Sequence, residues 1–434
     1  MDGGHPLPPP PGRRLAGVPV PAEAPPHPGA VRRAARADRP GNSGLAELAA
    51  LVFADEALAA RLAAIAEGPA FAEAAMGFAG SRGLALTEAD LHGAARPDPL
   101  GLSRRLPSAL GGPTLPPRRW LPAALSMTAN GLVVDWIYFG AAALREGFYE
   151  DSLRRALSLP FNRVFHYRTA LDDLIAPVTA VDSLEPNGFI LHMSRCGSTL
   201  VAQMLAALDD SIVISEAPPL DGALQYGRGA DEATAIAALR AMVLALGRRR
   251  AGGERRYIIK LDCWHTLALP IFRRAFPHVP WLFLYRDPVE VLVSQIRQRG
   301  MQMVPQFFPP AFFGFGADEA TPAEDYCAQV LAAVCCAALD HHTLGGGLFL
   351  NYRHLPGAVF TAALPHFGLT CSDDERERMR QAAASDAKVP GLPFVADAEP
   401  KQRAATDAIR CAAACHLGEI YAGLEKFATP GAID

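Results

Sequence analysis

From residue 185 onward the chain alternates between two rhythms. Short apolar runs of five residues at 189–193, 211–215, 257–261, 281–285 and 348–352 are separated by longer stretches in which apolar residues recur every three or four positions. Short runs bounded by turn residues read as buried strands, and the three-to-four rhythm reads as amphipathic helix. The pattern predicts helices over 199–208, 231–248, 266–275, 289–299 and 324–340. Alternation of this kind implies an α/β fold, a parallel sheet with helices on both faces. A ligand crevice is then expected outside the carboxyl ends of the strands.

The pattern upstream is different. Residues 1–40 are rich in Pro, Gly, Arg and Ala, with four consecutive prolines at 8–11. Such a segment buries too little apolar surface to order itself and reads as a disordered tail. A small helical module is predicted over 41–98. Leu45, Leu48, Leu51, Val52, Leu58, Leu62 and Ile65 mark a first helix over 44–66, and Phe71, Ala75 and Phe78 mark a second over 69–81. Thr87-Glu88-Ala89-Asp90 then reads as an N-cap opening a third. A Pro/Gly-rich linker with Leu110-Gly111-Gly112 leads to a middle module over 115–180. There 132–140 reads as a strand and Glu146–Leu157 as an amphipathic helix, and nothing in the segment names a ligand.

Composition narrows the class. The chain has 434 residues, 50% hydrophobic, enough for a sizeable core, and a net charge of −4. A mildly acidic balance gives no sign of nucleic acid or an anionic membrane as partner. Eight cysteines include no CxxC pair. Cys411 and Cys415, one turn apart with His416 beside them, could bind a metal, but core thiols on a helix are the more economical reading. With no signal-like N-terminus and no run of eighteen apolar residues, the expected compartment is the reducing cytoplasm, with no membrane span.

The candidate chemistry begins at residues 189–199, FILHMSRCGST. A strand, a tight small-residue turn and a helix aim backbone N–H groups and a positive helix end at an oxyanion. Gly197 would allow close approach, Ser198 and Thr199 supply hydroxyls, and Arg195 supplies a planar cation suited to phosphate or sulfate. Cys196 reads as a small spacer. The loop is not a nucleoside-triphosphate P-loop, because Ser198 stands where GxxxxGK[ST] needs its Lys. A second segment, WLFLYRDPVEVLVS at 281–294, ends a strand in Arg286 and opens a helix at Pro288. Arg286 and Ser294, two helical turns further on, could grip one phosphate from two sides.

Together, in this order and about ninety residues apart, the two segments resemble the sulfotransferases that use 3′-phosphoadenosine 5′-phosphosulfate (PAPS). The likeness spans 185–430. It implies a P-loop-like sulfotransferase fold without a metal. In it, Arg195, Cys196, Gly197, Ser198 and Thr199 hold the 5′-phosphosulfate, and Arg286 and Ser294 hold the 3′-phosphate. Glu216, just past the 211–215 run, matches the glutamate that takes the acceptor proton in some members. Lys260, ending YIIK, matches the lysine that neutralises the transferring group, although the early Pro usual after it is missing. Only four lysines (260, 388, 401 and 426) occur among 41 basic residues, which favours a specific use for an ammonium at a strand end. Lys388 and Lys401 flank a Pro/Gly-rich loop like the basic loop that closes the nucleotide site in the family.

The expected function is in-line sulfuryl transfer to a hydroxyl or amine, with Glu216 as base and Lys260 on the leaving phosphate. His192 and His265 are alternative bases. The acceptor could be a small molecule, a glycan or a peptide. The aromatic stretch 301–316 could be an acceptor-site lid or a buried connection. The competing reading is an inactive nucleotide- or peptide-binding scaffold of the same fold. Residues 44–96, with Asp55-Glu56-x-Leu58 and RGLALTEADL, also resemble the nitrile-hydratase-related leader peptides. That resemblance would imply docking of a peptide partner. Packing as a helical cap is the other possibility.

Overall fold

The computed structural model describes residues 31–33, 43–94, 115–128, 131–165, 167–175, 182–318, 320–385, 393 and 395–428. Most of the predicted tail, the Leu110-Gly111-Gly112 stretch and Lys388 lie outside them. A short strand β1 (Val31–Arg33) is the described part of the tail segment, and it pairs in parallel with 125–127.

Four helices follow: α1 (Ser43–Ala54), α2 (Glu56–Ala63), α3 (Gly68–Ser81) and α4 (Glu88–Ala94). The single helix expected over 44–66 is two. Asp55 has an extended backbone, and its carboxylate accepts from the N–H groups of Ala57 and Leu58, so it caps a fresh start within a continuous apolar pattern. Thr87 and Asp90 exchange hydrogen bonds, Thr87 N–H to the carboxylate and Asp90 N–H to the hydroxyl, as the cap motif predicts. These helices join one continuous core with the middle module. Phe53 packs edge-on against Trp120 and Tyr167, and Phe71 against Phe165. The buried sides of α1–α3 are thus already covered by the chain itself.

The middle module is an antiparallel sheet of β2 (Trp120–Thr128), β3 (Gly131–Tyr138) and β4 (Tyr167–Ala170), with α5 (Tyr149–Ser158), α6 (Pro160–Val164) and α7 (Leu171–Ile175). Sequence pattern missed β2 because Pro122 interrupts it. The register shifts between Pro122 and Ala124, a bulge that accommodates the missing N–H.

The remaining chain builds a five-stranded, fully parallel sheet of β5 (Gly188–His192), β6 (Ser211–Ser215), β7 (Arg256–Lys260), β8 (Trp281–Tyr285) and β9 (Gly347–Asn351), in the order β6-β7-β5-β8-β9. Its strands are nearly continuous apolar runs because helices cover both faces. The connections are α8 (Ser198–Ala206), α9 (Pro218–Gly227), α10 (Glu232–Leu246), α11 (Leu269–Ala275), α12 (Pro288–Arg297) and α13 (Ala323–Asp340). After β9 come α14 (Leu364–His366), α15 (Asp373–Ala383), α16 (Ala398–Ala404) and α17 (Asp407–Phe427). The α/β architecture and all five strands agree with the pattern to within one residue. The first expected helix after β7 is split, a 3₁₀ turn over Cys263–Ala268 preceding α11. The helix α9 is not among those the pattern predicts; it opens on Pro218-Pro219, which occupy the first turn, where no N–H is needed.

Within the segment Ala323–Leu344 the chain is long and apolar enough to cross a membrane. In the fold it packs against α12 and α17. All eight cysteines are free. The Sγ atoms of Cys411 and Cys415 lie 3.9 Å apart on an exposed face, but His416 turns away to Asp325. Among the described residues no cluster of three His, Cys, Asp or Glu side chains is placed to hold a metal.

Two buried arginines fasten the middle module to the parallel-sheet part. Arg248 donates to the carbonyls of Pro116 (2.6 Å) and Trp120 (3.2 Å), and Arg250 to those of Gly140 (3.0 Å) and Ala142 (2.8 Å). Burial lowers the Arg248 pKa to about 10, so the guanidinium stays charged. Carbonyl acceptors compensate both cations without a bonded carboxylate.

Candidate active site at the carboxyl edge of the parallel sheet

The turn after β5 carries unusual backbone. Ser194 (φ 79°), Arg195 (φ 51°) and Gly197 (φ 87°) are left-handed, and the other described non-glycine residue with positive φ is Glu216 (φ 51°), at the end of β6. Such conformations cost about 1–3 kcal/mol each in non-glycine residues and persist where surroundings enforce them. Here the enforcing contacts are visible. Ser194 N–H donates to His192 Nδ1 (3.1 Å), and the Ser194 hydroxyl accepts from Gln295 (2.9 Å) and Gln302 (3.2 Å). Glu216 N–H donates to the Lys260 carbonyl at 2.8 Å. All three strained side-chain-bearing residues flank one crevice.

Gly197 caps α8, and Ser198 and Thr199 begin it, both buried. A Cβ on Gly197 would stand 2.7 Å from Tyr352 Cδ2 and 2.9 Å from Leu355 Cδ1. Glycine is therefore required by packing as well as by φ. Gly197→Ala is expected to cost about 2–4 kcal/mol in a urea melt. A loss under about 0.5 kcal/mol would mean that the Tyr352 ring moves aside and that the loop is not fixed as described. Cys196 is fully buried; its thiol donates to the Leu284 carbonyl (3.1 Å), and burial pushes its pKa up to about 12, so it is an inert spacer. Arg195 reaches across to the Gln298 carbonyl at 2.8 Å.

Strand register brings the acid and base together. Lys260 pairs with Ser215 on one side and Ile190 on the other, so the residues ending β5, β6 and β7 share one edge. Lys260 Nζ, 0% exposed as a residue, bonds directly to Glu216 Oε1 and lies 5.1 Å from the ring centre of Phe148. His192 Nε2 stands 3.3 Å from the same carboxylate oxygen and 3.0 Å from the Leu261 carbonyl. Because His192 Nδ1 accepts from Ser194, its proton sits on Nε2, the tautomer that can face both oxygens. Burial, partly offset by Glu216, lowers the His192 pKa. Burial would raise the Glu216 carboxyl, but Lys260 and His192 outweigh it and hold the group well below the usual carboxylate range. Asp262, two residues beyond Lys260, is raised by burial and by the charges of Glu216 and Asp221.

A cavity of about 130 Å³ is lined by residues including Asp221, Arg228, Trp264, His265, Phe308 and Phe312. The Asp221 carboxylate accepts from Trp264 Nε1 (3.0 Å) and His265 Nε2 (3.1 Å). Within the stretch 301–316, Phe308 and Phe313 are buried, and Phe308 and Phe312 line the cavity.

Arg286 ends β8 on the far side of the loop. It is 4% exposed, and Nε donates to Glu290 (2.5 Å), Nη2 donates to Asp397 (2.6 Å), and its guanidinium lies 3.9 Å from the Tyr352 ring centre. Arg286 and Glu290, four residues apart, thus form a buried ion pair. Ser294 turns inward to bond the Glu290 carbonyl at 3.0 Å. Lys401 is on α16, buried, with Nζ 2.6 Å from Asp397. Sequence singled out Arg195, Glu216, Lys260, Arg286 and Lys401, but not Asp397, Tyr352 or Phe148.

The sheet order, the strained loop and the edge of charged groups define an α/β protein with a left-handed strand–loop–helix turn and a partly buried carboxylate–ammonium pair at the strand ends. No family model matches the chain, and no curated protein matches it. Among solved structures it is similar to the sulfotransferase domain from the curacin biosynthetic pathway (15% identity, 54% of this chain and 97% of that one, TM-score 0.33). It is also similar to sulfotransferase STF9 from Mycobacterium avium (12% identity, 56% and 78%, TM-score 0.36). A third likeness is to the sulfotransferase domain of the Synechococcus PCC 7002 olefin synthase (16% identity, 57% and 96%, TM-score 0.32). With scores this low, the chemistry has to be read from the side chains themselves.

Proposed function

We propose that the protein is a sulfotransferase that moves a sulfuryl group from PAPS to an acceptor hydroxyl or amine. The observation that carries this reading is the buried Glu216–Lys260 pair, set at the strand ends beside a left-handed loop that opens a helix. A purely structural ion pair has no need of a strained backbone at Glu216, or of a position at the mouth of the sheet.

The residues present fit a nucleotide bearing phosphates at two places. The loop amides, Arg195 and the hydroxyls of Ser198 and Thr199 would hold the 5′ end; Arg286, Ser294 and Lys401 would hold the 3′-phosphate. Lys388 remains a candidate for the same nucleotide. The nucleotide supplies an activated sulfuryl group and a phosphate as leaving group. Glu216, ionised throughout the neutral range, accepts the proton that the acceptor hydroxyl gives up. Lys260 offsets negative charge beside it in a water-poor setting, where electrostatic stabilisation is most effective. Positioning and charge are the protein's contribution, as in phosphoryl transfer. The aromatic cavity with Asp221 and His265 at its polar side is the proposed seat of the acceptor. With the backing of α1–α3 already used inside the core, we favour the helical-cap role for 44–94 over a docking leader.

The test is thermal stability with adenosine 3′,5′-bisphosphate, AMP and ATP. Ligand at about 100 times its Kd should add about 2.7 kcal/mol. A shift with the bisphosphate far above those with AMP and ATP is expected. Equal shifts for all three, or none, would overturn the reading.

A further inference from the structure

Asp397 stands at the N-cap position of α16, where an aspartate ordinarily bonds the free N–H groups of its own helix. Its carboxylate makes no such bond. One oxygen instead takes Arg286 Nη2 at 2.6 Å and the other takes Lys401 Nζ at 2.6 Å. Both cations are largely buried, whereas the Asp397 side chain is 44% exposed. The remaining charges in the cluster are acidic: Glu290 on Arg286 Nε, and Asp287, which with Glu290 faces the amide of Gln402. Two cations are thus bonded to two carboxylates, and half-exposed Asp397 bridges both cations as two oxygens of a phosphate would. A phosphate on the same two donors requires that Asp397 leave them.

We propose that Asp397 is an affinity-setting residue, an internal anion that occupies the Arg286–Lys401 donors and that a 3′-phosphate has to displace in order to bind. This rests on the reading of that site as the 3′-phosphate seat. A dianion with three acceptor oxygens recovers both charge-assisted bonds when Asp397 departs. A nucleotide bearing a plain 3′-hydroxyl recovers neither, so Asp397 stays in place and the ligand gains nothing there. The competition lowers affinity for every occupant of the site by the fraction of time the donors are free. Asp397 therefore weakens the 3′-phosphorylated nucleotide selectively and narrows its advantage over AMP.

The test is calorimetric titration of the full chain, wild type and Asp397→Asn, with adenosine 3′,5′-bisphosphate and with AMP. If the donors are free about one-tenth of the time, Asp397→Asn tightens the bisphosphate about tenfold and leaves AMP within about twofold. Asp397→Ser repeats the measurement without an amide. Glu399→Gln removes a neighbouring carboxylate whose partner is the exposed Arg403 and should change nothing. Unchanged or weaker bisphosphate binding in both Asp397 variants, or an equal gain for AMP or in Glu399→Gln, overturns the role of Asp397. If wild type and variants bind neither nucleotide, the 3′-phosphate reading falls, and this proposal with it.

Discussion

Glu216→Gln is expected to lower turnover by about 10²–10⁴-fold while changing the affinity for adenosine 3′,5′-bisphosphate by less than about threefold. The amide keeps the shape of the side chain but cannot take a proton. The pH dependence adds an independent check. The Glu216 carboxyl is held well below the usual range, so the side chain is ionised from neutral pH down past the ordinary carboxylate value of about 4.3. Its contribution to stability is fully present above that unfolded-state value and is lost only as pH falls through the depressed folded value. The acid side of kcat/KM should therefore stay flat from about pH 8 to about pH 5. His192 acts in the same direction but at higher pH. Its folded pKa is lowered by burial, so below about pH 6.5 the unfolded chain binds a proton that the native ring resists, and stability declines with falling pH. Turnover retained in Glu216→Gln, or an acid limb near pH 6.5, would transfer proton acceptance to a histidine.

Lys260→Met should unfold more easily by about 3–5 kcal/mol, the usual penalty for removing one partner of a buried ion pair. The loss arises from what remains. Glu216 would keep its charge beside a neutral His192 and close to Asp262, with Phe148 facing a methyl group where it had faced an ammonium. Lys260→Arg should not restore stability, since a planar guanidinium does not fit a site closed around one nitrogen. The double variant Lys260→Met with Glu216→Gln should recover much of the loss, because no orphan charge is left. Chemical denaturation of the four proteins gives the coupling directly. Additive losses in the double variant would show that the two side chains do not act as a pair.

These expectations rest on residues that differed in how legible they were. The parallel sheet could be read because each strand is an uninterrupted apolar run with a helix on either side. Glu216, Lys260 and Arg286 could be placed at its carboxyl edge because each directly follows or ends such a run. What stayed hidden depended on distance in sequence. Asp397 is 111 residues from Arg286, and nothing local to it distinguishes it from an ordinary helix cap. Phe148 lies at the start of α5 in the middle module, far in sequence from the lysine it covers. Strand β2 was obscured by Pro122, whose bulge only the partner strand reveals, and the break at Asp55 lies inside an otherwise unbroken helical rhythm. The left-handed φ of Ser194, Arg195 and Glu216 has no signature in residue type, since none is glycine or asparagine.

Arg248 and Arg250 give the seam between the two sheets a meaning for how this protein could be divided or recombined. Their charges are satisfied by carbonyls of residues 116, 120, 140 and 142, and the ring over Lys260 comes from residue 148. A cut near residue 185 follows the change in topology, yet it would leave two guanidinium groups and one ammonium facing water on the excised half. The middle module is therefore part of the wall around Lys260. Any grafting of this sheet edge onto another scaffold has to carry residues 115–165 along with it.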